Sequence, residues 1–140
     1  MVVKECLQCS APYEPVATYH YFCSHSCCGK YNAGKTWDSY FKKLLQKSSE
    51  RDSLTVDELK DILDTQQGLC ALSGVQLTKI TGKGVISTNA SIDRIHAGGL
   101  YSKQNIRLVC HYLNSFRGHV SEGEFQWWCR RVVMKNGAST

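Results

Sequence analysis

The chain has 140 residues, 17 Lys plus Arg against 12 Asp plus Glu for a net charge of +5, and eight cysteines. That length allows one domain, or one small domain with an annex, whose limited core calls for extra staples. With no run of about 20 apolar residues and no secretory leader in view, a membrane-spanning helix is excluded and a cytoplasmic protein is expected, in which cysteines bind metal sooner than they pair.

The first unit, expected over residues 1–50, opens with "KECLQCSAPYEPVATYHYFCSHSCCGKY", which holds five of the cysteines. Cys6 and Cys9 are separated by two residues, and Cys23 and Cys27 by three. Two such pairs can offer four thiolates to one tetrahedral Zn²⁺, with Cys28, His20 and His25 as competing ligands. Four protein ligands leave no position for water, so this zinc is expected to hold structure and not to catalyse. The string "YFCSHSC" resembles the second half of a treble-clef zinc finger, in which a knuckle gives the first ligand pair and a helix N-terminus the last ligand. Next, "AGKTWDSYFKKLLQKS" sets Trp37, Tyr40, Phe41, Leu44 and Leu45 at helical spacing, with Lys42, Lys43 and Lys47 largely on the other side. Polar "SSERDS" reads as a linker.

The second unit, expected over residues 51–140, begins with a helix. Thr55 and Glu58 have the spacing of a capping box, Val56, Leu59, Ile62 and Leu63 form an apolar face, and Gly68 marks the end. "LCALSGVQLT" and "GVISTNASIDRI" read as short strands and glycine turns, "NIRLV" as a strand, and "CHYLNSFRG" as a short helix stopped by Gly118. A last helix starts at Ser121 to Glu124 and runs through "FQWWCRRVV". From Asp93 the order is therefore strand, glycine-rich loop, strand, short helix.

Over Leu69 to Phe116 these residues resemble the HNH endonuclease family. The likeness is to small phage HNH nucleases and to the PacI type of restriction endonuclease, which pairs an N-terminal zinc module with an aspartate-arginine site. The resemblance implies an α+β fold: a small ββα-metal (HNH, His-Me finger) core with an N-terminal treble-clef-like zinc module and flanking helices. It also implies a metal-dependent endonuclease of double-stranded DNA, site-specific, working in restriction, homing or a phage function in a bacterial or phage-infected cell. On this pattern Asp93 is the acidic metal ligand, Asn105 the middle asparagine that pins the loop, and Asn114 the final metal ligand. Asp93 and Asn114 offer hard oxygens, which suit Mg²⁺ or Mn²⁺.

The chain departs from the pattern at Arg94, where relatives usually carry histidine beside the acidic residue. A guanidinium grips phosphate but makes a poor base. Tyr101, placed in "G-x-Y-x-x-x-N", and His96 are the two candidates to activate water: position favours the first, the ordinary pKa of imidazole the second. DNA phosphates are expected at Arg94, Lys103, Arg117, Lys42 and Lys43. One site cuts one strand, so a homodimer on a palindromic site is the arrangement that would cut both. The rival reading is a non-catalytic zinc-finger DNA-binding or adapter protein with a degenerate HNH scaffold, which Arg94 favours.

Many relatives hold a second zinc between two CxxC pairs. Here those positions read Cys70 and Ser73, then Cys110 and Leu113. Cys129 with His111 or His119 would be a long-range completion. The preferred expectation is that Cys70, Cys110 and Cys129 are small buried hydrophobes. Leu72, Val75, Leu77, Leu108, Leu113 and Trp127 or Trp128 would then fill the space with core packing.

Overall fold

A computed structural model describes residues 2–17, 20–33 and 36–137. It begins with a miniature antiparallel hairpin, β1 (Lys4–Glu5) against β2 (Pro12–Tyr13), whose connecting turn carries Cys6 and Cys9. Helix α1 (His25–Ala33) follows and places Cys27 in its first turn. Helix α2 (Trp37–Gln46) is capped by Thr36, whose hydroxyl accepts from the Ser39 amide at 3.3 Å. A single 3-10 turn over Ser49–Arg51 then leads to α3 (Val56–Thr65). There Thr55 and Glu58 form the reciprocal capping box expected from their spacing. The chain leaves α3 through Gln67 and Gly68, both at positive φ, 56° and 73°.

Residues 69–89 form two isolated bridges, Leu69 with Gln76 and Thr78 with Asn89, in place of longer strands. Strand β3 (Ala90–Arg94) pairs antiparallel with β4 (Ile106–Cys110), in a register that sets Ile92 opposite Leu108 and Asp93 opposite Arg107. Helix α4 (His111–Arg117) starts where β4 ends, and α5 (Glu122–Lys135) closes the described chain.

The core gathers Phe41 and Leu44 from α2, Leu59 and Leu63 from α3, and Ile92, Ile106, Leu108 and Val109 from the strands. Burying each such side chain is worth about 1.5–3 kcal/mol relative to leaving it exposed. Helix α2 lies on the annex side of a division at residue 50, yet its apolar face completes the core of the second unit. Gln66 ties α3 to the outer edge of β4. Its Nε2 donates to the Leu108 carbonyl at 2.8 Å and its Oε1 accepts from the Leu108 amide at 3.0 Å, as a neighbouring strand would.

The last helix corrects one expectation. No residue of α5 is buried; Trp127 is 48% and Trp128 55% exposed, and Cys129 is exposed. The tryptophans do not fill the core, because an ion pair at the first turn holds α5 to the sheet while the rest extends past it. Cys70, Cys110, Leu77 and Leu108 are buried, and Leu72, Val75 and Leu113 pack partly against the core. No helix among the described residues is long and apolar enough to cross a membrane.

Candidate active site and metal centres

In the annex, the sulfur atoms of Cys6, Cys9, Cys23 and Cys27 all lie within 4.8 Å of one another. The hairpin turn presents the first two and the start of α1 the last. Cys28 turns inward and is buried, and neither it nor His20 or His25 joins the cluster. Burial pushes the Cys6 thiol up, but hydrogen bonds from the backbone at Cys23, Cys9 and Gln8 outweigh it and bring the pKa down to about 6. Cys23, sharing hydrogen bonds with the Cys27, Cys9 and Cys6 side chains, is pushed up to about 12. Four thiols this close compete for few acceptors, and a dication that replaces their protons removes the conflict.

At the far end of the β3–β4 pair, Asp93 is clamped. It is 5% exposed, and the guanidinium of Arg117, 2% exposed, donates through Nη1 to both carboxylate oxygens at 2.5 and 2.7 Å. The remaining Arg117 donors are used as well: Nη1 reaches the Arg94 carbonyl, Nη2 that of Ile95 and Nε that of Val120. Arg107, directly across the ladder, donates from Nε to Asp93 Oδ2 at 2.9 Å and from Nη1 to Glu122 at 2.8 Å. Burial alone would lower the pKa of Arg107, and its bonds to Asp93 and Glu122 raise it instead. Arg117, expected at a DNA phosphate, is withdrawn from the DNA-facing set: it is buried and spends its donors inside the protein.

The loop between the strands is organised by Asn105. Its Oδ1 accepts from the His96 amide at 3.0 Å, and its Nδ2 donates to the Leu100 carbonyl at 2.9 Å and the His96 carbonyl at 3.3 Å. Gly99 lies against this knot; a Cβ there would stand 2.5 Å from Asn105 Nδ2. Arg94 Nη1 donates to the Gly99 carbonyl at 3.1 Å, which swings the guanidinium over the Tyr101 ring, 4.8 Å from its centroid. A second cation, Arg51 from the 3-10 turn, lies 5.5 Å from the same ring. Arg51 Nη1 is anchored on the Leu44 carbonyl at 2.8 Å, while its Nε is buried without a hydrogen-bond partner. Ser53 fixes the loop from outside by donating to the Tyr101 carbonyl at 2.8 Å.

Asp93, Arg94, Tyr101 and Asn114 line one cavity of about 240 Å³, together with Arg51, His111 and His119. His96 is exposed and outside this lining, while its neighbour Ala97 is within it. On α4, Asn114 Nδ2 donates to Ser91 Oγ at 2.7 Å and to the Ile92 carbonyl at 3.1 Å. A carbonyl only accepts, so the amide nitrogen must face it and Oδ1 is left for another partner. That oxygen and the Asp93 carboxylate, both lining this cavity, are of the hard-oxygen type that a divalent cation takes, and two arginines already hold Asp93. Lys42 and Lys43 are exposed on α2, and Lys103 is paired with Asp61 at 2.9 Å. A larger cavity, about 460 Å³, separates the annex from residues 73–78; no carboxylate lines it.

Sequence reasoning missed Arg51 and the structural parts of Arg107 and Arg117, and treated His111 and His119 only as zinc ligands. Two of these were open to pattern. Arg117 follows Asn114 by three residues, hence on the same helix face, and Arg107 falls opposite Asp93 once the hairpin register is drawn.

The positions of a second zinc hold no such site. Cys70 Sγ accepts from the Cys110 amide at 3.2 Å. The Cys110 side chain hydrogen-bonds it and, with Ser73, brings the Cys70 pKa to about 5 against burial, while that of Cys110 is raised by the same contact. Two thiols, one hydroxyl and Leu113 do not make a tetrahedral zinc shell. Cys129, exposed on α5, joins no metal-ligand cluster among the described residues.

No family model matches the chain, and no curated protein matches it. Among solved structures it is similar to the rare-cutting HNH restriction endonuclease PacI, described for its mechanism of DNA perturbation. The identity is 17%, 94% of each chain is covered and the TM-score is 0.52. At that identity the likeness is one of fold. The chain has an HNH-type α+β fold with a four-cysteine cluster at its N-terminal end.

Proposed function

We propose that the protein is a metal-dependent endonuclease that hydrolyses phosphodiester bonds of double-stranded DNA at specific sites. The observation that carries this reading is the convergence of Asp93, Asn114, Arg94 and Tyr101 on one small cavity at the end of a strand pair. PacI, whose fold the chain shares, is itself a restriction endonuclease.

Asp93 and Asn114 would hold one Mg²⁺ or Mn²⁺, which when bound polarises the scissile phosphate and stabilises the departing 3′ oxygen. Arg94 takes a non-bridging phosphate oxygen; its bond to the Gly99 carbonyl leaves other donors free for this. Tyr101, between two guanidiniums, would act as general base once its own proton has left to solvent, its phenolate oxygen then taking the proton of the attacking water. Arg107 and Arg117 keep the Asp93 carboxylate in one orientation. The four annex cysteines would hold a structural Zn²⁺, and Lys42, Lys43 and Lys103 face the duplex as sequence-independent grip.

A second reading, a binding module without catalysis, is favoured by one observation: both oxygens of Asp93 are already taken by arginine. Incubation of zinc-loaded protein with supercoiled plasmid separates the two. The comparison should be Mg²⁺ or Mn²⁺ against cation-free buffer, because a chelator would also strip the cysteine cluster. Cleavage that needs the cation and is lost in Asp93→Asn and Tyr101→Phe supports the nuclease. Folded protein that shifts DNA on a gel and never cuts it supports the binding module. Asp93→Asn is the better variant, since Asp93→Ala would leave Arg117 buried without its partner.

A further inference from the structure

Arg51 lies outside the strand, loop, strand and helix unit, on the 3-10 turn that precedes α3, yet it lines the same cavity as Asp93, Arg94 and Asn114. Its hydrogen bond runs from Nη1 to the Leu44 carbonyl, which ties the guanidinium to the last turn of α2. The other edge, formed by Nε and Nη2, has no hydrogen-bond partner among the described residues, and Nε is buried. That is the edge with which arginine grips two oxygens of an anion side by side. A buried donor left unmatched is costly, so this one points to a ligand that brings the acceptor.

The charges around Arg51 indicate which ligand. Arg107 and Arg117 are paired with Asp93 and Glu122, whereas Arg51 and Arg94 form no ion pair among the described residues. Both of the unpaired arginines lie against the Tyr101 ring, 5.5 and 4.8 Å from its centroid. Asp93 is the one carboxylate among the residues lining the cavity, and it is already held. Two guanidiniums over one ring repel each other, and an anion with several oxygens relieves both at once. A phosphodiester has that charge and that number of oxygens.

We propose that Arg51 is a second phosphate-binding arginine of this cavity, gripping the DNA backbone side-on through Nε and Nη2 while Arg94 binds beside it across Tyr101. The proposal rests on the reading that a DNA phosphate enters this cavity, and not on its being cut there. It brings into the site a residue from a turn on the α2 side of the molecule.

The salt dependence of DNA binding tests this. Full-length, zinc-loaded protein is titrated against a short fluorescent duplex of mixed sequence, without added Mg²⁺ or Mn²⁺, and anisotropy gives the affinity at each salt concentration. One phosphate contact contributes about 0.9 to the slope of log affinity against log salt. Arg51→Gln removes the charge but keeps an N–H for the Leu44 carbonyl, and Arg51→Met removes both. Each should lower the slope by about 1 and weaken binding severalfold, with zinc content and circular dichroism unchanged. Arg51→Lys keeps a cation without the fork and should retain most of the slope. If Arg51 served only to tie the turn to α2, all three variants would keep the wild-type slope, and that result would overturn the proposal. So would an equal loss of slope in the Lys and Gln variants, since it would trace the effect to distortion and not to charge. The plasmid assay run in parallel tells the two readings apart. A lowered slope in protein that never cuts supports the grip and sinks the nuclease alone; cutting by wild type with an unchanged slope in the variants sinks the grip alone; folded wild type that binds no DNA overturns both.

Discussion

Among the residues up to position 31 whose burial is described, only Cys6 and Cys28 are buried, whereas residues 36 to 118 bury Phe41, Leu44, Leu59, Leu108, Val109 and others around one core. The annex therefore cannot be held by removal of apolar surface. Its two-residue strands and nine-residue helix have the four-sulfur cluster as their common point. The ββα unit, by contrast, has a continuous apolar layer and adds a buried ionic clamp at one end. On the function proposed above, one part would depend on a ligand for its shape, and the other would keep its shape in order to offer a ligand site.

Metal removal should separate the two most widely. A chelator strong enough to compete with four thiolates is expected to unfold the annex outright, since structural zinc in peptides of this size carries about 10–16 kcal/mol of apparent free energy. Hydrogen exchange would then lose protection around Cys6 to Ser10 and along α1, while α3, β3 and β4 keep theirs. Simultaneous loss in both parts would remove the distinction. Inside the core, Arg117→Met breaks the Asp93 clamp and leaves a buried carboxylate with Arg107 alone. A loss of about 3–5 kcal/mol in denaturant titration is expected, with zinc content unchanged.

The smallest expected effect lies at Tyr40, which links α2 to the sheet by donating to the Ala90 carbonyl at 2.8 Å. Tyr40→Phe should cost about 1 kcal/mol at neutral pH. Burial pushes the Tyr40 phenol up to about 12 from 10.0, so the folded state favours the neutral form. Its contribution is fully present below pH 10 and is lost as pH rises toward 12. Melting temperatures of the wild type and the Phe variant should therefore converge on the alkaline side of that window and stay apart at pH 7.

Local rules carried much of the fold. The capping box at Thr55 and Glu58, the apolar spacing of α2, and the order of strand, loop, strand and helix after Asp93 each depend on neighbours within a few residues. The errors arose where a side chain's fate depends on distant parts of the chain. Arginine at a helix end ordinarily reads as surface, and Arg117 is buried only because Asp93 waits beneath it from another strand. Tryptophans ordinarily read as core, and Trp127 and Trp128 are exposed because no element among the described residues covers that face of α5. Arg51 stood in a segment read as linker, and its role follows from a 3-10 turn that lays it on Tyr101.

Gly99 has a consequence for which sequences the loop can tolerate. Its neighbours Gly98 and Leu100 are exposed and open to exchange. At Gly99 itself even alanine would press on the Asn105 amide, and the backbone carbonyl of the same residue is what holds Arg94. One added methyl group would thus disturb the asparagine knot and the arginine together. A saturation library of this loop should be permissive at 98 and 100 and closed at 99, so that of two adjacent glycines only the second is irreplaceable.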